Sequence, residues 1–261
     1  MDNRPIGVFD SGVGGLTAVR RLHEILPHED IIYFGVDACL TVRARRDRLK
    51  IYPSGRALSA QVRHQGDRRR VPCRPPHWTS SRTRPTFHDR RVWPACAAAR
   101  AATKTGRIGV IGTPATVRSR VDRMLKAADP SLAVFMQPCP LLVPLVENGR
   151  VHCGDIVAET VVREYLAPIK AQNVDTLILA CTHYPLLSEV VAAEMGENVT
   201  LIDSGAAAAE SVRGMLVPAE ERPGKTRYFV SDDPQGFNQL APGFLNGSLD
   251  FPAEQVDIDA Y

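Results

Sequence analysis

No apolar run in the sequence approaches the ~18 residues that a membrane-spanning helix needs. The opening Met1-Asp2-Asn3-Arg4-Pro5 has no basic stretch leading into an apolar one, so no secretory leader is expected either. Paired cysteine spacing is also missing. The six cysteines, at 39, 73, 96, 139, 153 and 181, are scattered, which argues against a disulfide framework and suits a reducing cytoplasm. No Gly-Lys-Ser/Thr follows the glycine-rich turn at residues 12–15, so that turn is not a phosphate-binding loop. It also misses the dinucleotide fingerprint, because Thr17 stands where the last glycine belongs. What remains is ordinary globular material: 261 residues, 44% hydrophobic and 23% charged, enough for one large or two modest domains with a buried core.

The formal charge of +3 conceals an asymmetry. Between Cys39 and Arg91 there are 15 Lys and Arg against 3 Asp and Glu, and the rest of the chain is net acidic. The same segment holds five prolines and fourteen arginines and offers no apolar strand. A structureless stretch of that length inside a compact domain is unusual. Its arginines come without a recognition module, and basic character alone is weak support for nucleic-acid binding.

Elsewhere short apolar runs alternate with helical periodicity. Ile6–Phe9 runs into Asp10-Ser11-Gly12-Val13-Gly14-Gly15, after which Leu16, Val19, Leu22 and Leu26 recur at helical spacing up to Pro27. Ile31–Phe34, Ile108–Ile111, Leu132–Phe135, Leu177–Ala180 and Leu201–Asp203 read as further strands. A helix is expected over Ile156–Ile169. This alternation predicts parallel α/β sheets covered on both faces, with ligands beyond the carboxyl ends of the strands.

Three strand ends carry residues of chemical interest. In Leu179-Ala180-Cys181-Thr182-His183-Tyr184-Pro185 a thiol leaves a buried strand two residues before an imidazole, and Pro185 suits the first position of the next helix. That pair can exchange a proton, which acid–base or nucleophilic work requires; a buried structural cysteine beside a surface histidine is the plainer alternative. A Cys-x-His metal site would need a third ligand. The glycine turn after Phe9 can offer N–H groups to an anion, or it can be a tight turn capped by Asp10 or Ser11. Gly112-Thr113-Pro114-Ala115-Thr116 presents hydroxyls suited to a carboxylate or phosphate. Cys139-Pro140 opens an apolar run that reads as packing, with Glu147 placed after it to face a cleft. Cys96 and Cys153 have plain flanks and read as structural.

Together these pieces resemble the glutamate racemases of the cofactor-independent Asp/Glu racemase superfamily. The resemblance rests on Pro5–Thr17, Ile32-Tyr33-Phe34-Gly35, Ile108–Thr116, Cys139-Pro140-Leu141 with Val143–Glu147, Cys181–Leu187, Leu201–Gly205 and Tyr228–Pro234. It spans roughly residues 5–35 and 92–247. It implies two parallel-sheet α/β domains facing each other across a cleft: residues 1–95 with 207–261, and residues 96–206. It also implies a two-base reaction on glutamate without pyridoxal phosphate or metal, supplying D-glutamate for peptidoglycan, in a cytoplasmic protein that forms a homodimer. Carried onto this chain, Cys181 is the base for the L-enantiomer, assisted by His183, and Asp10 assists on the other side. Ser11, Thr116 and Thr182 hold the substrate, and Glu147 supports His183. An aspartate racemase is the near alternative. A non-catalytic anion or nucleic-acid binder using the 39–91 arginines is the distant one, and a steep salt dependence of binding would mark it.

The family's Tyr-Gly pair and its Cys-Asn-Thr motif are both absent from residues 36–91. Tyr52 precedes Pro53, and Cys73 stands between Pro72 and Arg74, so the first catalytic cysteine is not carried onto Cys73. Abrupt loss and recovery of a pattern, with Arg- and Pro-rich composition, is what a shifted reading frame through GC-rich DNA produces. The nucleotide sequence tests that reading, through a search of the two other frames for the missing motifs. On either account the first domain is expected to have an incomplete sheet.

Overall fold

The structure is a computed structural model that describes residues 5–35, 61–63, 93–118, 121–216 and 222–256. Cys73 and the remainder of the segment that departs from the family pattern lie outside the described residues. The chain divides into two compact units, Met1–Phe87 with Val212–Tyr261, and His88–Ser211. Among the described residues no helix is long and apolar enough to cross a membrane.

The first unit begins with β1, Ile6–Asp10, buried along its whole length. Helix α1, Leu16–Ile25, follows the glycine turn and buries Leu16, Val19 and Leu22, as its spacing predicts. It gives way at Leu26, one residue before Pro27, which cannot continue a helix. Strand β2, Ile31–Gly35, pairs parallel with β1 in the register Ile6↔Ile31 to Asp10↔Gly35. On the other side of β1 runs β3, Gln61–Arg63, which is antiparallel. The sheet is parallel apart from this short edge pairing, to which the arginine-rich segment contributes Gln61–Arg63.

The second unit runs α2 (Trp93–Ala102), β4 (Arg107–Gly112), α3 (Pro114–Val117), α4 (Val121–Ala128), β5 (Ala133–Pro138), α5 (Leu142–Glu147) and α6 (Ile156–Lys170). It continues with β6 (Thr176–Leu179), α7 (Ser188–Met195), β7 (Thr200–Asp203) and α8 (Ser204–Arg213). The four strands form one parallel sheet in the order β5-β4-β6-β7. The chain steps from β4 to β5 on one side and then to β6 on the other, so the connections diverge between β4 and β6. In open α/β sheets the binding crevice lies at such a point, outside the carboxyl ends of the strands. One face of the sheet packs Ile108, Val110 and Ile178 against Ala95, Cys96 and Ala99 of α2 and Val121 and Leu125 of α4. Helix α6 buries Ala158, Val162, Leu166 and Ile169, and its first turn is capped by the Asp155 carboxylate, which accepts from the N–H groups of Val157 and Ala158.

The chain then returns to the first unit. Strand β8, Thr226–Val230, pairs parallel with β2, and α9, Pro234–Leu245, opens on an Asp233 cap. Strand β9, Glu254–Gln255, completes the order β3-β1-β2-β8-β9. Phe9, Phe34, Phe229 and Val256 form a core cluster in this unit, and Tyr33, Tyr228 and Phe237 form an aromatic group with ring centroids 5.7–6.3 Å apart.

Candidate active site

Strand β6 is fully buried and ends at Leu179. The Ala180 N–H still donates to the Ile111 carbonyl at 2.9 Å, so the chain leaves the sheet at Cys181. It turns at once: the Tyr184 N–H donates to the Cys181 carbonyl at 3.1 Å and the Leu186 N–H to that of His183 at 3.1 Å. Pro185 falls in a short 3-10 turn, Tyr184–Leu187, and the following helix starts only at Ser188. The expectation that Pro185 opens the helix itself is corrected, because a single tight turn intervenes.

That turn holds His183 at 8% exposure. Its Nε2 lies 3.0 Å from Glu147 Oε1, and its Nδ1 lies 3.5 Å from the Thr182 hydroxyl. With Nε2–H donating to the carboxylate, the lone pair resides on Nδ1, on the side of Thr182. Glu147 is the last residue of α5, whose Leu142 and Val146 are buried. The apolar run thus packs, and its terminal carboxylate meets the imidazole. Thr116 sits beyond the carboxyl end of β4. Its N–H donates to the Thr113 hydroxyl at 3.3 Å, and the two hydroxyls are 3.1 Å apart. Cys181, Thr182, His183, Glu147 and Thr116 therefore all belong to segments at one end of one sheet. Cys181 is partly exposed.

A second thiol stands beside them. The Cys139 N–H donates to the Gly112 carbonyl at 2.9 Å, and its side chain is fully buried. Burial first, and the charge of Cys181 second, push the Cys139 thiol up to about 12, while the Gly112 N–H works the other way. It is a neutral thiol at ordinary pH. The Tyr184 phenol, also fully buried, donates to the Cys139 carbonyl at 2.8 Å. Burial, then the charges of Cys181, Cys139 and Tyr165, push this phenol far above its ordinary range. Sequence reasoning passed over Tyr184, because its only visible signal was its place beside His183.

In the first unit, Asp10 ends β1 at 3% exposure, and its Oδ2 accepts the Gly15 N–H. Tyr33 on β2 donates its hydroxyl to the Gly12 carbonyl at 2.7 Å. Burial chiefly, and the Asp10 charge next, raise that phenol well above its ordinary range. Side chains have no room here. A Cβ at Gly15 would stand 2.8 Å from that of Asp10, and one at Gly35 would stand 2.8 Å from the Gly12 carbonyl oxygen. The N-cap of helix α1 is Gly15, with no side-chain cap, so neither Asp10 nor Ser11 fills that position. The carboxylate instead takes up a turn N–H that the sequence suggested for an external anion. Ser11 is exposed on the same turn.

Among the described residues no group of three or more His, Cys, Asp and Glu is placed to hold a metal ion. Cys96 is buried, as a structural cysteine should be, whereas Cys153 is exposed and has no packing role.

Comparison with known proteins gives one consistent answer. The family described as Asp/Glu/Hydantoin racemase matches residues 93–212. The glutamate racemase of Geobacter metallireducens is 37% identical over 271 aligned residues, covering 98% of both chains. The crystal structure of a glutamate racemase isoform from Bacillus anthracis superposes with a TM-score of 0.73 at 27% identity, covering 98% of each chain. The glutamate racemase of Francisella tularensis, solved in complex with D-glutamate, superposes with a TM-score of 0.71 at 28% identity over 100% of both.

Proposed function

The chain belongs to the glutamate racemase family, and on that premise we propose that it interconverts L- and D-glutamate by cysteine-based proton transfer. The observation that carries this reading is the partly exposed Cys181 at the end of β6, followed two residues later by a buried His183 that is bonded to Glu147. The α-proton of glutamate is taken by the Cys181 thiolate. His183 exchanges a proton with that thiol through Nδ1, while its Nε2–H stays on the Glu147 carboxylate, which stabilises the imidazolium form. Thr182 and Thr116 supply hydroxyls for the substrate's carboxylate and ammonium groups. Of the two thiols near this end of the sheet, only Cys181 is fit for the role, since burial keeps Cys139 neutral.

Stereoinversion needs a second acid/base group on the opposite face of the α-carbon. By the resemblance to the family, Asp10 is proposed to assist the second proton transfer and Ser11 to bind substrate. The proposed product role is D-glutamate for peptidoglycan.

The test is α-proton exchange in D₂O, with L-glutamate, D-glutamate and aspartate offered separately to the purified chain. The reading expects exchange with glutamate, and inversion when both acid/base groups work. Exchange of one enantiomer without inversion leaves Cys181 as the only working base. No exchange of either, in a folded sample, overturns the proposal.

A further inference from the structure

We infer that Tyr184 is a positioning residue, which holds the Cys181–His183 turn in working register by tying it to the carbonyl of Cys139; this rests on the racemase reading above. The adjacent residues His183 and Tyr184 reach the two ends of a single segment. His183 meets Glu147 at the far end of α5, 36 residues away in sequence, and Tyr184 donates to Cys139 at the near end, 45 residues away. The six-residue helix between those contacts is about 9 Å long. Two crossings set that far apart fix an orientation, whereas one would leave a hinge.

The rest of the ring is backbone. The Tyr184 N–H donates to the Cys181 carbonyl and the Leu142 N–H to that of Cys139. The first closes the turn that carries the thiol, and the second starts the helix that carries the carboxylate. The phenol is fully buried, and it is the side-chain tie between the Cys139 carbonyl and this turn. A phenylalanine fills the same space without the hydroxyl, so the substitution removes the tie and leaves the packing. The freed carbonyl still accepts from Leu142, which limits the cost to the fold.

Two cysteines make the experiment specific. Cys139 and Cys96 are both buried in the second unit, and burial pushes each thiol up to about 12. One lies at the tie and the other in α2 on the sheet's core face. The variant is Tyr184→Phe, labelled with iodoacetamide under native conditions and read by peptide mass spectrometry, beside steady-state α-proton exchange with glutamate. Loss of one buried hydrogen bond weakens local closure by roughly tenfold. The expected result is therefore roughly tenfold faster labelling of Cys139 with Cys96 unchanged. The kcat for exchange should fall by roughly tenfold or more, with KM held within about twofold, as for a displaced reacting group.

Equal acceleration at both cysteines means that the phenol serves the whole unit's stability, and overturns the inference. So does no acceleration at either, or a loosened Cys139 with kcat retained. If the parent chain exchanges no glutamate proton, the reading of function fails, and the labelling ratio still decides whether the tie holds.

Discussion

Nε2 of His183 and Oε1 of Glu147 lie 3.0 Å apart, with side chains only 10% and 15% exposed, although one sits after β6 and the other at the end of α5. The pair fixes the imidazole tautomer and supplies the charge that an imidazolium needs. Glu147→Gln keeps the shape and an acceptor oxygen but removes that charge. We expect α-proton exchange to fall by roughly 10–100-fold, within the range for general acid–base assistance, with Tm shifted by little. Unchanged exchange in the folded variant would reduce Glu147 to a packing residue.

Cys139 and Cys181 flank one end of the sheet, yet they should respond differently to removal. Cys181→Ala deletes the proposed base and is expected to abolish exchange with the fold intact. Cys139→Ala opens a small cavity at a fully buried site, costing about 1–2 kcal/mol. It leaves the backbone carbonyl that Tyr184 uses. Urea denaturation and exchange assays on both variants separate the cases: Cys139 should show its effect in stability, Cys181 in turnover.

Much of this site was readable from sequence because strand ends announce themselves. The apolar run Leu177–Ala180 stops at Cys181, and the run after Cys139 stops at Glu147; each candidate group stands at the point where an apolar run ends. The positions of β1, β2, β4, β5, β6 and β7 followed from period and apolar content for the same reason, whereas β8 and β9 were not read as strands. What could not be read depended on pairing between distant segments. That Cys181 influences the Cys139 thiol follows from β5 and β6 flanking β4, which no local pattern encodes. Asp10 was legible as a polar residue at a strand end, but not its use of the Gly15 N–H, because that contact arises from how tightly the turn folds back. Strand β3 was missed because Gln61–Arg63 has no apolar signature, and pairing at a sheet edge needs only backbone.

The turn after β1 has no space for a methyl group. Gly15→Ala would bring a Cβ to 2.8 Å from that of Asp10 and 3.2 Å from the Tyr33 ring. Gly35→Ala would bring one to 2.8 Å from the Gly12 carbonyl oxygen, a backbone atom that Tyr33 already holds in place. Overpacking of this kind costs about 1–3 kcal/mol. Both variants should melt earlier, and Gly35→Ala should be the worse, because a backbone atom yields less than a side chain. Equal stability to the parent would mean that the turn is looser than its contacts indicate.

Asp175 anchors the start of the second sheet through one carboxylate. The Thr103 hydroxyl donates to Oδ1 at 2.6 Å, and the N–H groups of Lys104 and Thr105 donate to Oδ2 at 2.7 and 2.6 Å, which secures the connection from α2 into β4. Burial opposes ionisation here, but the Thr103 hydroxyl and the two N–H groups outweigh it and hold the carboxyl well below its ordinary range. In the unfolded chain the same group titrates near 3.9. The anchor's contribution is therefore complete above about pH 5 and is lost as the pH falls through the unfolded value toward the lower folded one, because there the unfolded chain binds the proton first. Asp175→Asn has no proton to gain and should be less stable than the parent at pH 7. Its Tm should then decline less between pH 5 and pH 3, so that the two curves converge in acid. Parallel curves would show that the carboxylate's charge is not what secures the connection, and that the neutral hydrogen bonds suffice.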